Sequence, residues 1–178
     1  MAEPTGAGHA LEETPRHGFQ GDRIPGANSV VPLASAIAVS REVGARGGAI
    51  ARRLGTRLGW QVFDRDMLEY AARDAATIEA VQAELPAAAL LWIEERLRWL
   101  HQHDVLSHDE SFEDVARMIL ALGAKGEAIF VGHGAGFILP RETTLHVRFV
   151  APLPGRVAYF RQWLRLPYDE AAEQVRVR

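Results

Sequence analysis

A three-layer α/β domain, with a parallel sheet held between two layers of helices, is the fold this sequence predicts. Three observations lead there. Short apolar runs at 35–40, 60–63, 128–132 and 145–150 alternate with longer segments of helical period. The first run passes into a helix through a glycine cluster, which is how a βαβ unit opens. Of the 178 residues 48% are hydrophobic, enough to bury the core of one domain.

Taken in order, residues 1–33 mix prolines, glycines and scattered charges without an apolar period, and read as a disordered tail in which His9 and His17 stand isolated. The folded domain is expected over 34–178. SAIAVS at 35–40 is the first strand, and glycines 44, 47 and 48 follow it. Ile50, Ala51, Leu54 and Leu58 then share a helix face, which Gly59 closes as a C-cap. WQVF at 60–63 is a second short strand. Asp64 or Asp66 caps a helix carrying Met67, Leu68, Ala71 and Ala75. Beyond Pro86, Leu90, Leu91, Ile93, Leu97 and Leu100 mark another helix, with Glu94, Glu95, Arg96 and Arg98 toward water. Phe112, Val115, Met118, Ile119 and Leu122 mark the next, which Gly123 is expected to stop. Strands at 128–132 and 145–150, a helix over 155–166 and a last helix capped by Asp169 complete the chain. The four tryptophans, 60, 92, 99 and 163, read as core or groove residues.

Composition removes several function classes. Without cysteine there is no disulfide, thiolate metal site or thiol catalysis. No apolar run is long enough for a bilayer and no basic-then-apolar leader opens the chain, so a soluble, cytoplasmic protein without membrane partners is expected. The net charge of -3 is unevenly spread: residues 31–66 carry six arginines against three acids, whereas 67–127 carry five basic residues against twelve acids. A nucleic-acid partner is not expected from a chain of this balance. Nineteen of the twenty basic residues are arginine, and Lys125 is the one lysine. His101, His103 and His108 lie near Asp104 and Asp109, but a spacing of two residues turns His101 and His103 to different sides of a helix. No metal site is expected.

The segment 40–51 carries the chemistry. Its glycines let main-chain N–H groups turn inward and let a ligand approach closely. The helix that follows adds unpaired donors and a partial positive charge, a combination suited to an anion, of which phosphate is the common example. The spacing of Gly44, Gly47 and Gly48 does not fit a dinucleotide fingerprint. A tight turn that merely needs positive backbone angles is the plainer alternative.

Four blocks together resemble the cytidylate kinase-like family: IAVSREVGARGGAIARRL at 37–54, FDRDML at 63–68, VGHGA at 131–135 with Ile138 and Leu139, and LHVRFVAPL at 145–153 with Arg156. The resemblance implies a parallel sheet of the P-loop nucleoside monophosphate kinase type, here with four strands where the fold normally has five. It implies ATP and Mg²⁺ as cofactors and a nucleoside monophosphate as substrate. Gly44, Ala45, Arg46, Gly47, Gly48 and Ala49 would cradle the donor phosphates, with Arg41 or Arg46 adding charge. Arg156 and Arg161, with Arg165, would close over the phosphates as a lid. Asp64, Arg65 and His133 would place the acceptor.

The departures are specific. In register, Gly47 stands where a Walker loop has lysine, and Gly48 and Ala49 stand where it has hydroxyl residues. The family generally lacks that lysine too, and Lys125 is too distant in sequence to replace it. His133 occupies a position that is usually arginine. The plainer readings are a helix cap for Asp64, surface charges for the arginines and a space-filling ring for His133. Two functions therefore compete: an ATP-dependent kinase acting on CMP, dCMP or a related monophosphate, and a nucleotide- or phosphate-binding module of the same fold that does not turn over. A third, plainer reading has the fold serve an assembly without nucleotide.

Overall fold

The computed structural model describes residues 35–106 and 110–177. The tail expected over 1–33, with His9 and His17, lies outside the described residues, as do His108, Asp109 and Arg178. Four strands, β1 (Ala36–Arg41), β2 (Gln61–Phe63), β3 (Ala128–Val131) and β4 (Thr144–Phe149), form one sheet in the order β2-β3-β1-β4. Every pairing is parallel, with Val39 opposite both Val131 and Val147.

Both faces of the sheet are covered, which is why its central strands read as unbroken apolar runs. Side chains alternate between the faces. Ala36, Ala38, Ala128 and Phe130 belong to the larger core, together with Leu68, Ile93, Leu100 and Ile119 from the helices. Ile37, Val39, Ile129 and Val131 point the other way, onto Ala51 and Leu54 of α1 (Gly47–Leu58). These two clusters are the two interfaces of a three-layer α/β/α fold.

The helices on the larger side are α2 (Arg65–Ala72), α3 (Ala75–Ala83), α4 (Ala87–Gln102), α5 (Glu110–Lys125) and the single turn α6 (Ala135–Ile138). The helix expected to run through Ala75 is in fact two. Asp74 leaves the helical conformation and caps α3, accepting from the Ala76 amide at 3.2 Å and from the Thr77 hydroxyl at 2.6 Å. Gly123 does not stop α5. It lies inside the helix because a Cβ there would meet Leu139 Cδ2 at 2.6 Å. Leu91 is exposed, and Arg96 is not turned to water. Arg96 donates to the carbonyls of Ile138 (3.0 Å) and Phe137 (3.3 Å), satisfying the last turn of α6, and its guanidinium lies over Trp99. Lys125 is ion-paired with Glu84 at 2.7 Å.

The chain ends in a hairpin of α7 (Leu153–Leu164) and α8 (Tyr168–Val177). This hairpin has its own small core of Val157, Phe160, Ala171, Ala172 and Val175, and Val43, from the loop after β1, packs into it. Trp92 and Trp99 are core residues as expected, but Trp163 on α7 is 68% exposed. No helix among the described residues is long and apolar enough to cross a membrane.

Candidate functional site

The loops leaving β1 and β3 emerge side by side, because those strands are paired neighbours at the centre of the sheet. The crevice outside the carboxyl ends of parallel strands is where open α/β sheets take ligands. After β1 the chain makes a short turn, with the Ala45 amide donating to the Glu42 carbonyl at 3.0 Å. Arg46 then adopts a left-handed conformation (φ 60°) and begins α1 without a side-chain cap. The Ile50 amide is the first to donate back along the helix, to the Arg46 carbonyl at 3.1 Å. The amides of Gly47, Gly48 and Ala49 therefore make no hydrogen bond among the described residues. Three unpaired donors at the positive end of a twelve-residue helix are the anion-seeking feature of the loop.

The glycines divide their tasks. Gly44 has φ +84°, and a Cβ on it would stand 2.4 Å from the Arg156 carbonyl oxygen. Its lack of a side chain serves the close approach of α7, not that of a ligand. At Gly47 a Cβ would crowd the Arg41 stem at 2.8 Å and Phe149 at 3.3 Å. At Gly48 the same atom would meet only Arg52, at 3.7 Å, so the space in front of that amide is open.

Arg41 joins the two loops. Its stem lies against Gly47, and its guanidinium fills the space beside Gly132, where a Cβ would stand 2.6 Å from Nη1. It is exposed and forms no ion pair among the described residues.

Two arginines expected to act on phosphate are placed differently. Arg156 is turned back onto the loop: Nε lies 3.3 Å from Glu42 Oε2 and Nη1 donates to the Val43 carbonyl at 3.4 Å, with the side chain only 15% exposed. The same Glu42 oxygen accepts from the Ala151 amide at 3.3 Å. Arg156 and Glu42 thus tie α7 to the glycine loop. Arg161 is exposed, but about 100° per residue turns it roughly 160–200° away from Tyr159 and Trp163, the α7 residues facing the loop. Arg46 lies over the Tyr159 ring, 4.6 Å from its centre.

The loop after β3, which Arg41 meets at Gly132, also borders a cavity of about 640 Å³ lined by Arg65, Glu69, Arg73, Asp114 and His133, among others. Asp64 does not line it. Asp64 caps α2, accepting from the Met67 amide at 3.2 Å. Arg65 pairs with Glu69 at 2.7 Å, and that hydrogen bond holds the Glu69 carboxyl below its ordinary range. His133 has φ +57°, a strained conformation for a residue with a side chain. Its ring is only 10% exposed, and Nε2 is buried without a hydrogen-bond partner, 3.9 Å from Glu69. Burial pushes the imidazole below the usual histidine range, and the Glu69 charge partly opposes this. A second cavity of about 340 Å³, lined by Val105, Phe112, Phe137 and Ile138 among others, shares Phe112 and Gly134 with the first. The first is charged; the second is mostly apolar, with His103 and Asp104 also on its wall.

Glu69 and Arg73 were not singled out from the sequence, although both recur from Arg65 at helical spacing. Asp114 and Glu42 gave no local signal. Two of the other histidines have structural partners: His101 meets Glu113 at 3.1 Å, and His103 donates to the Trp99 carbonyl at 2.8 Å while stacking on its ring, whereas Nε2 of His146 is buried without a hydrogen-bond partner. Among the described residues no group of three or more His, Asp or Glu could hold a metal ion. The two positions that carry hydroxyls in a Walker loop offer a divalent cation nothing here, since Gly48 and Ala49 occupy them.

The model of the cytidylate kinase-like family matches residues 36–178. The chain belongs to this family. The match takes in the glycine loop, the His133 loop and the α7–α8 hairpin, and with them a nucleotide kinase-like fold. Among solved structures, an uncharacterized protein from Eubacterium ventriosum is 14% identical over 80% of this chain and 72% of its own, with a TM-score of 0.49. TT1252 from Thermus thermophilus is 18% identical over 82% of this chain and 80% of its own, with a TM-score of 0.46. Comparison with curated proteins returns no match.

Proposed function

We propose that this cytidylate kinase-like chain is a nucleoside monophosphate kinase, moving the γ-phosphoryl group of ATP to CMP, dCMP or a related monophosphate. The observation that carries this reading is the pairing of two half-sites through Arg41: the unbonded amides of Gly47, Gly48 and Ala49, with the Arg41 stem against Gly47, and the cavity containing Arg65, Arg73 and His133, whose loop meets the Arg41 guanidinium at Gly132. The amides would take the donor phosphates. The charged cavity would take the acceptor phosphate and the mostly apolar one beside it the base. An acceptor phosphate oxygen forms the new bond to the γ-phosphorus, the bond from that phosphorus to the β-phosphate oxygen breaks, and ADP leaves. This chemistry depends on positioning and charge, and Arg41 between the half-sites is the group best placed to supply charge. Arg156 acts here as a positioning residue through Glu42. The positions that carry hydroxyls in a Walker loop, Gly48 and Ala49, give Mg²⁺ no ligand, and in this reading the metal enters as the ATP complex, whose charge it offsets.

A second reading, a nucleotide-binding module without turnover, is favoured by the missing lysine and hydroxyl and by the engagement of Arg156 with Glu42. A coupled assay with ATP, Mg²⁺ and each of CMP, dCMP, UMP, AMP and GMP separates the two. Turnover is expected with at least one pyrimidine monophosphate, and Arg41→Gln should lower kcat by about 10²-fold. Tight ATP binding with no turnover on any acceptor overturns the kinase in favour of the module.

A further inference from the structure

Between α6 and the β4 edge of the sheet lies a cavity of about 250 Å³ that none of residues 44–49 lines. Strand register sets its floor. Ala38 is opposite His146 and Ser40 is opposite Arg148, so these four side chains share one face of β1 and β4. A Cβ on Gly136 of α6 would stand 3.6 Å from His146 Nδ1 and 4.0 Å from Ala38 Cβ, so the missing side chain helps keep the space open. Arg148 and Arg141, the latter from the turn between α6 and β4, bring two positive charges to the cavity, and no Asp or Glu lines it. Elsewhere Arg65, Arg117 and Arg156 each have a carboxylate partner. Arg141 and Arg148 are exposed and form no ion pair among the described residues. The His146 ring between them has Nε2 buried without a hydrogen-bond partner. Burial, and then the Arg141 charge, hold that imidazole below its ordinary range. The Ser40 hydroxyl has only a long bond, 3.5 Å, to the Val147 carbonyl.

We propose that this cavity is a second anion site, separate from the 47–49 amides, that takes a small dianionic oxyanion, either a phosphate group or a dicarboxylate. The two guanidiniums supply paired N–H donors whose fork matches either group. Ser40 adds a hydroxyl, and His146 presents its one N–H on the Gly136 side. An anion here offsets two charges that the empty cavity leaves uncompensated beside a buried ring. The volume lies below the roughly 300–1,000 Å³ of pockets for drug-sized ligands, which suits a small ion. The proposal does not rest on the nucleotide reading. The cavity borders the nucleotide crevice at Gly132, where Arg41 lies, without using its amides.

The test uses the full chain and two probes, inorganic phosphate and succinate, read by amide chemical shifts. At least one of them is expected to shift the amides of Gly136, His146 and Arg148, apart from any shifts phosphate causes at Gly47, Gly48 and Ala49. A response to phosphate alone assigns the site to a phosphate group, and a response to succinate alone to a dicarboxylate. Arg141→Gln and Arg148→Gln should each weaken the anion at the cavity amides about tenfold or more, while leaving phosphate shifts at 47–49 unchanged. Both side chains are exposed and without an ion-pair partner, so these variants should keep the wild-type melting temperature when no anion is added. His146→Phe keeps a ring of similar size and removes the unpartnered nitrogen, so it should weaken the anion without lowering stability. Shifts confined to 47–49, no shift with either anion, or cavity shifts that survive both arginine substitutions would overturn the site.

Discussion

Gly44 and Gly48 sit four residues apart in one loop and answer to different physics. At Gly44 both the positive φ and the backbone of Arg156 exclude a side chain, so Gly44→Ala should lower stability by about 1–3 kcal/mol in urea denaturation. At Gly48 the space is open and the backbone helical, so Gly48→Ala should leave stability unchanged or raise it by up to about 1 kcal/mol. If the Gly48 amide receives phosphate, the same substitution should weaken ATP binding, which calorimetry reads. The sequence showed the cluster but not this division, because the atoms that decide it belong to residue 156. His133 carries a second residue-scale expectation. His133 and His146 are both held below the ordinary histidine value, chiefly by burial, so below pH about 6.5 the unfolded chain binds protons that the folded chain does not. Stability should be full above that pH and decline as pH falls through the lowered folded values. His133→Asn should flatten the decline, as followed by melting temperature between pH 7.5 and 5.

At the scale of elements, the strand, glycine loop and helix at 36–58 were legible because each signal is local: an apolar run, three glycines and a 3.6-residue period. The sequence reading erred where a distant element set the outcome. Gly123 stays inside α5 because Leu139 uses its missing side chain, and Arg96 leaves water because α6 ends beside it with unpaired carbonyls. The attachment of the α7–α8 hairpin belongs to the same class. Glu42 holds both Arg156 and the Ala151 amide, while Val43 enters the hairpin core, and nothing near residue 42 in the sequence announces this. Glu42→Ala should therefore loosen the hairpin before the sheet. Hydrogen exchange is expected to quicken by about tenfold at Ala151 and through 153–164, with little change in β1 and β3. For a pair that is neither fully exposed nor fully buried, the stability loss should be about 1–3 kcal/mol. Exchange quickening equally throughout would show that the hairpin is not a separately anchored unit.

For the whole molecule, the three-layer fold brings two loops from neighbouring central strands to one crevice. Strand order is what makes the site, since β1 and β3 are adjacent although more than eighty residues separate them. That adjacency sets Arg41 against both Gly47 and Gly132, between the loops that follow β1 and β3. Sequence resemblance pointed to Arg65 and His133 for the groove. It could not supply Asp114, whose helix is brought to the site by packing against α2, α4 and the sheet. Everything proposed for this crevice turns on the first turn of α1 holding the phosphates of a nucleotide. Amide chemical-shift mapping of the full chain with ATP and Mg²⁺ checks this. The largest shifts are expected at Gly47, Gly48 and Ala49, with smaller ones at Arg41 and Gly132. Shifts confined to other parts of the chain, or none at saturating ATP, would contradict it.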